Sequence, residues 1–484
     1  MRKHFLLYVV VLLIFGVGIF SILEFGSRLQ SSEVLASQKA PFMEAAIPTP
    51  QAQKPEAVPS NSSAGLLENF QLPLNILLVQ VIVIIVTAKL VGVIFSKIGQ
   101  PTVIGEMLAG ILLGPSLLGA LSPGVEMFIF PAASLDTLKL LSQIGVILFM
   151  FGVGVDLDLH SLHQQARAAI LISHASIIIP FFLGTAFSLL IYQSLAASNI
   201  SFGAFALFMG IAMSITAFPV LARIIEERGL SNSYLGNITI ACAAVDDVTA
   251  WCILAIVVAI AKADQLAGAL LTIFLSLAFI GVMFFLIKPA IGRIFLKIEM
   301  SGEVQNKGLI AGILAFALAS ALFTEMIGIH ALFGAFLAGA VMPPQANLRK
   351  LIKERIQTFS SVFLLPLFFA FTGLRTQIGL MVDGQSWLIC AGIILVAILG
   401  KLGGSVLAAR WTGVNWYDSV AIGILMNTRG LMELIALNIG YDLGILSPQI
   451  FAMMVLMALA TTFMTGPLIS LLEVWKRRAA VSLQ

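Results

Sequence analysis

The sequence predicts an all-α polytopic membrane protein, and three observations carry that prediction. First, the 484-residue chain is 59% hydrophobic and only 11% charged, with a mean hydropathy of +1.04, which excludes an ordinary soluble domain. Second, a spanning helix needs about 20 apolar residues, and about thirteen such segments follow residue 71. Third, the basic residues gather in alternate loops, as the positive-inside rule requires of a chain that crosses repeatedly.

The first element is Arg2-Lys3 followed by an apolar stretch from Phe5 to Leu23. Residues 1–25 are thus a signal peptide or an anchor helix. No Ala-x-Ala site closely follows the apolar stretch, which favours the anchor. Residues 26–71, rich in Ser, Pro, Gln and Ala, bury no core and read as a disordered extracytoplasmic linker. The apolar core occupies residues 72–475. Its helices are expected over 72–95, 101–119, 136–157, 166–192, 202–224, 234–261 and 266–293, then 308–326, 328–343, 354–374, 386–410, 416–440 and 447–472. A short tail, 476–484, completes the chain.

Loops on one side carry Lys97, Arg167, Arg223, Arg228, Lys288, Arg293, Lys297, Lys307, Arg349, Lys350, Lys353, Arg355 and Arg410, and the tail adds Lys476, Arg477 and Arg478. The short loops on the opposite side have only Lys262 and Arg375. The C-terminus is therefore expected in the cytoplasm and the linker outside, with the cell inner membrane as the bilayer. Lys89 and Lys139, near helix ends, are expected to snorkel. The net charge of +3 is too small to suggest nucleic acid. Cys242, Cys252 and Cys390 lie in apolar runs without metal or disulfide spacing. No cofactor is implied.

The chemistry concentrates in Asp246-Asp247, adjacent acids inside the apolar run 235–261. A carboxylate at the centre of a membrane helix costs roughly 2.5–3.5 kcal/mol on insertion scales. Neighbouring helix residues point about 100° apart, so one acid can face a basic partner while the other faces a cation or a water-filled space. Lys401, deep in another apolar run, needs a counter-charge, and the Gly400–Gly404 spacing lets a second helix approach closely. Two helices look interrupted. One is 213–219, where Pro219 forces a break after Ser214 and Thr216; the other is 426–433, where Gly430 sits beside Thr428, Arg429 and Glu433. Paired breaks point to an inverted-repeat transporter with its site at the midplane. Freed carbonyls and the hydroxyls of Ser214, Thr216 and Thr428 suit a small hard cation. Arg429 and Glu433, four apart, are placed to pair. Glu106 near a helix start, His330 near a membrane end, and Asp156, Asp158, Glu226 and Glu227 at cytoplasmic helix ends read as ordinary structural or solvated groups.

Four stretches, Gly99–Ser116, Ser214–Arg223, Ala244–Trp251 and Asn427–Asn438, together resemble the monovalent cation:proton antiporter superfamily, family 2, in the branch of plant cation/H exchangers and bacterial relatives. The resemblance covers residues 72–475. It implies a thirteen-helix core with two inverted repeats, crossing interrupted helices, a homodimer and an elevator-like motion. It further implies Asp247 as the main cation and proton carboxylate, Asp246 as the acid paired with Lys401, and Thr216 at the helix crossing. The cytoplasmic nucleotide-binding domain of potassium-efflux relatives is not expected here. The function so implied is exchange of Na+ or K+ for protons, not enzymatic catalysis. The alternative is a gated monovalent cation channel or efflux system on the same scaffold. An intramembrane aspartyl protease is disfavoured, because its two aspartates would sit on facing helices.

Overall fold

The computed structural model describes residues 2–29, 72–156, 166–197, 200–230, 233–262, 266–300 and 307–481. Most of the expected linker and Asp158 lie outside the described residues, as do the side chains of Arg167, Arg223 and Glu227. All described regular structure is helical: α1 Arg2–Ser27, α2 Pro73–Lys97, α3 Thr102–Leu113, α4 Ala132–Asp156, α5 Ala166–Leu195, α6 Phe202–Ala212, α7 Phe218–Glu227, α8 Tyr234–Lys262 and α9 Leu266–Val282. After α9, a π turn leads into the helix Lys288–Met300. There follow α10 Lys307–Ile327, α11 Ala331–Ala340, α12 Leu365–Arg375, α13 Gly384–Ile398, α14 Gly404–Trp411, α15 Trp416–Met426, α16 Leu431–Asp442 and α17 Pro448–Val481.

Ten helices among the described residues are long and apolar enough to cross a bilayer, and the bent pair α15–α16, with 41° between its halves, makes an eleventh. The chain is thus an all-α, multi-pass membrane protein. The sequence count of thirteen segments exceeds eleven for a physical reason. Helices α6 and α11 are apolar but too short to span alone, and α7 is amphipathic, ending in Arg223, Glu226 and Glu227.

Two kinds of helix surface organise the molecule. Few residues of the span Leu270–Phe295 are buried, and Phe274, Leu277, Phe285 and Leu286 face outward while Phe279 and Met283 pack on the core, as a peripheral lipid-facing helix requires; in the apolar stretch of Ala132–Asp156 most residues are buried. The buried helices approach through glycines, since small residues let backbones touch. A Cβ on Gly339 of α11 would lie 2.1 Å from the Phe151 carbonyl of α4, and one on Gly110 of α3 would lie 2.3 Å from the Phe369 carbonyl of α12. Helix α1 lies against α5, with the Phe15 and Phe182 rings edge to face at 5.3 Å.

Beyond the core, Lys139 and Lys89 do more than reach for water. Lys139 pairs with Asp442 at 3.2 Å, and Lys89 lies 3.7 Å from Glu106. Glu106 is buried one turn into α3, so its charge faces a neighbouring helix rather than only its own N-terminus. Asp156 is exposed and accepts from Gln357 Nε2 at 2.7 Å; Glu226 is also exposed.

Candidate functional site

The two interrupted helices meet. α6 ends at Ala212 and the chain unwinds over residues 213–217 before α7 starts, with Pro219 in its first turn where its missing N–H is harmless. α15 ends at Met426 and α16 starts after Gly430, whose φ of +154° is a conformation that favours glycine. Across the gap, Ala217 N–H donates to the Thr428 carbonyl at 3.0 Å, and Thr216 Oγ1 donates to the Met426 carbonyl at 3.1 Å. Each break therefore satisfies backbone groups that the other's unwinding has freed.

Arg429 completes this exchange. It is fully buried, and its guanidinium donates to the Ala212 and Met213 carbonyls at 3.0 and 2.5 Å and to Glu433 Oε2 at 3.2 Å. It thus caps the C-terminal end of α6, where carbonyls lack helical partners. Its own backbone is held by Thr462, which accepts from Arg429 N–H at 3.0 Å and donates to its carbonyl at 2.7 Å.

Helix α8 passes the crossing and presents both aspartates, with Asp246 0% and Asp247 2% exposed. Their surroundings are unequal. Asp246 accepts from Lys401 Nζ at 3.1 Å, from Ser176 Oγ at 2.6 Å and from Thr216 N–H at 3.0 Å. Lys401, also fully buried, donates to the Ser214 carbonyl as well. It stands in a π turn, Leu399–Gly403, between α13 and α14. Gly400 brings that turn against α5, where a Cβ would be 2.7 Å from Pro180 Cα. The close approach carries the ammonium to α8.

Neither oxygen of Asp247 has a hydrogen-bond partner. Asp247 lines a crevice with Ile215, Ala250, Trp251, Leu254 and Met432. The three hydroxyls expected beside a cation point elsewhere. Ser214 Oγ donates to the Gly210 and Ile177 carbonyls, Thr216 Oγ1 to Met426, and Thr428 Oγ1 meets Thr465 Oγ1 at 3.3 Å. The Thr216 hydroxyl thus serves the carbonyl at the end of α15 and that of Ser214 serves carbonyls of α5 and α6, whereas the Thr428 hydroxyl is engaged by another hydroxyl. Ser176, Thr462 and Trp251 belong to the site without having been singled out in the sequence. Trp251 follows Asp247 by one helical turn, and that spacing was the available signal.

A second cavity, of about 300 Å³, is lined by Glu325, His330, Asn438 and Asp442 among others. His330 is the N-cap of α11, accepting from Leu332 N–H at 3.4 Å, while Glu325 accepts from Ala331 N–H at 2.8 Å.

Comparison with known proteins adds to this geometry. The family model "Sodium/hydrogen exchanger, transmembrane" matches residues 82–475. A Na(+)/H(+) antiporter from Synechocystis, NhaS4, is 46% identical over 402 residues, covering 82% of this chain and 97% of the relative. Cation/H(+) antiporter 17 of Arabidopsis thaliana is 41% identical over 397 residues, 82% of this chain but 48% of that protein. The chain thus spans about half the length of that plant relative. Among solved structures, the fold is similar to that of the sodium proton antiporter MjNhaP1 from Methanocaldococcus jannaschii, with a TM-score of 0.59 at 15% identity over 83% of this chain and 96% of that one.

Proposed function

The chain belongs to the sodium/hydrogen exchanger family, within the monovalent cation/proton antiporter superfamily, and from that premise we propose that it exchanges a monovalent cation for protons by alternating access at Asp247. The carrying observation is the unequal pair: Asp246 is saturated by Lys401, Ser176 and Thr216, whereas neither oxygen of the buried Asp247 has a hydrogen-bond partner. A carboxylate in low dielectric is tolerated when protonated or paired with a cation. Asp247 therefore takes a proton or a cation, never both, and does not cross bare. That exclusion couples the two fluxes. Asp246 and Lys401 hold the site's electrostatic frame, and Arg429 with Glu433 holds the crossing open. Sodium is the first cation to assay, because the Synechocystis relative bears that name; potassium is the second.

The same reading counts thirteen crossings, by including α6 with α7 and α11 as short or broken spans, and groups the breaks as matching parts of two inverted repeats. It takes residues 72–475 as the transport domain, residues 1–25 as a signal peptide or anchor helix, 26–71 as an outer linker and 476–484 as a cytoplasmic tail. Charge bias supports that orientation; the homodimer rests on the family resemblance.

The test is a proton-gradient assay in proteoliposomes, adding Na+, K+ and Li+ in turn with and without a clamped voltage. The expected result is cation-dependent collapse of the gradient, abolished in a folded Asp247→Asn protein. Normal exchange by that variant overturns the assignment. Cation flux without matching proton movement would instead mark a channel.

A further inference from the structure

The crevice beside Asp247 holds a second orphan. Trp251 is 4% exposed, and its indole Nε1–H has no partner, a rare condition for a buried tryptophan. Trp251 follows Asp247 by four residues on α8, so both side chains lie on one face. Both line the same crevice, whose other walls, Ile215, Ala250, Leu254 and Met432, offer only apolar side chains. One unpaired donor and one unpaired acceptor thus share one apolar enclosure.

The two orphans constrain what fits between them. A bare cation satisfies the Asp247 carboxylate but cannot accept a hydrogen bond from the indole. An apolar guest satisfies neither. A water molecule accepts from the indole with one lone pair and turns the other towards a cation held at Asp247. We infer that the transported cation binds at Asp247 with part of its hydration shell retained, and that Trp251 Nε1–H anchors the retained water. This inference rests on the reading of Asp247 as the cation carboxylate and names the chemical form of the cargo: a partly hydrated ion rather than a stripped one. In the described conformation the crevice is narrower than a water molecule. Met432, unbranched and flexible, is the wall that yields when the hydrated ion enters. It stands on α16 directly after the second break, so seating the cargo engages the crossing itself.

Trp251 is a positioning residue in this scheme, and its test separates the N–H from the ring. Trp251→Phe keeps an aromatic wall and deletes only the donor. The expected outcome is an apparent KM for the transported cation raised about 3- to 10-fold, as fits loss of one hydrogen bond, with turnover held within about 2-fold. The rise should be larger for the more strongly hydrated of two transported cations. A folded Trp251→Phe protein with wild-type KM and wild-type ion ratios overturns the inference. A second measurement leaves Trp251 intact. The chain has five tryptophans, and the other four, Trp387, Trp411, Trp416 and Trp475, are exposed and replaceable by Phe. In that background Trp251 emission should move to the red as cation is added, saturating with the transport KM. Emission blind to the cation overturns the inference. Asp247→Asn runs in parallel. If that variant still exchanges ions, the underlying site reading has failed. If it is dead while both Trp251 measurements are null, only the hydrated-cargo inference has failed.

Discussion

Lys401 Nζ lies 3.1 Å from Asp246 Oδ2, and neither side chain exposes any surface. Taking two charges out of water is expensive, and their attraction offsets that cost only when further hydrogen bonds complete the geometry. Ser176, the Thr216 N–H and the Ser214 carbonyl provide those bonds here. The pair is therefore sound only as a unit.

Lys401→Met should destabilise the protein by about 3–5 kcal/mol, because it leaves Asp246 buried without its counter-charge. The double variant Lys401→Met with Asp246→Leu should recover most of that loss. Thermal unfolding in detergent measures both. A single variant as stable as wild type would contradict the coupling.

Arg429→Ala removes the donors that hold the Ala212 and Met213 carbonyls and strands Glu433. The expected cost is again about 3–5 kcal/mol. Arg429→Lys should rescue only in part, since a single ammonium cannot reproduce the planar fork across three acceptors. Unfolding midpoints and gradient-collapse rates should fall in the order wild type, Lys, Ala.

Gly430→Ala forces a Cβ into a backbone conformation at φ +154° and within 3.1 Å of Val220 Cγ2. Strain of this kind costs about 1–3 kcal/mol. The variant should unfold several degrees earlier and exchange ions more slowly, whereas Gly444→Ala, with open space around it, should lose stability without the same effect on exchange.

His330 gives a pH dependence. Burial pushes its imidazole below the ordinary 6.5, against the opposing influence of Glu325 and Asp442 and together with Lys262 and Lys139. The folded chain thus binds fewer protons than the unfolded chain in this range. The stability held by neutral His330 is full above about pH 6.5 and is lost as pH falls below that value towards the depressed folded pKa. The neutral ring is also what accepts from Leu332 N–H. His330→Asn keeps a cap acceptor at every pH. Unfolding midpoints measured from pH 8 to pH 5 should therefore decline less steeply in the Asn variant than in wild type.

Charged residues in apolar runs are conspicuous in a sequence, because every such residue demands a reason. Asp246, Asp247, Lys401, Arg429 and Glu433 were legible for that cause, as were the breaks at Pro219 and Gly430. The residues alone showed that Lys401 needed an acid; which acid came only through the family resemblance. Ser176 was not legible, since serine is unremarkable in a membrane helix and its importance lies in what it faces; Trp251 carried only the signal of its one-turn spacing from Asp247. The Ser214 and Thr428 hydroxyls read from the sequence as cation ligands; in the described conformation main-chain carbonyls engage the first and the Thr465 hydroxyl the second. The helix count differs because apolar segments can be counted from sequence, whereas α6 and α11 are too short to span on their own.

The bond from Ala217 N–H to the Thr428 carbonyl joins the two broken helices through main-chain atoms alone. Its persistence does not depend on which side chains stand at either position. Side-chain changes at Ala217 and Thr428 themselves therefore leave this link in place, unlike changes at the neighbouring Arg429 and Gly430. At those two positions the frame beside Asp246 and Asp247 is set by the path of the chain rather than by the identity of its side chains.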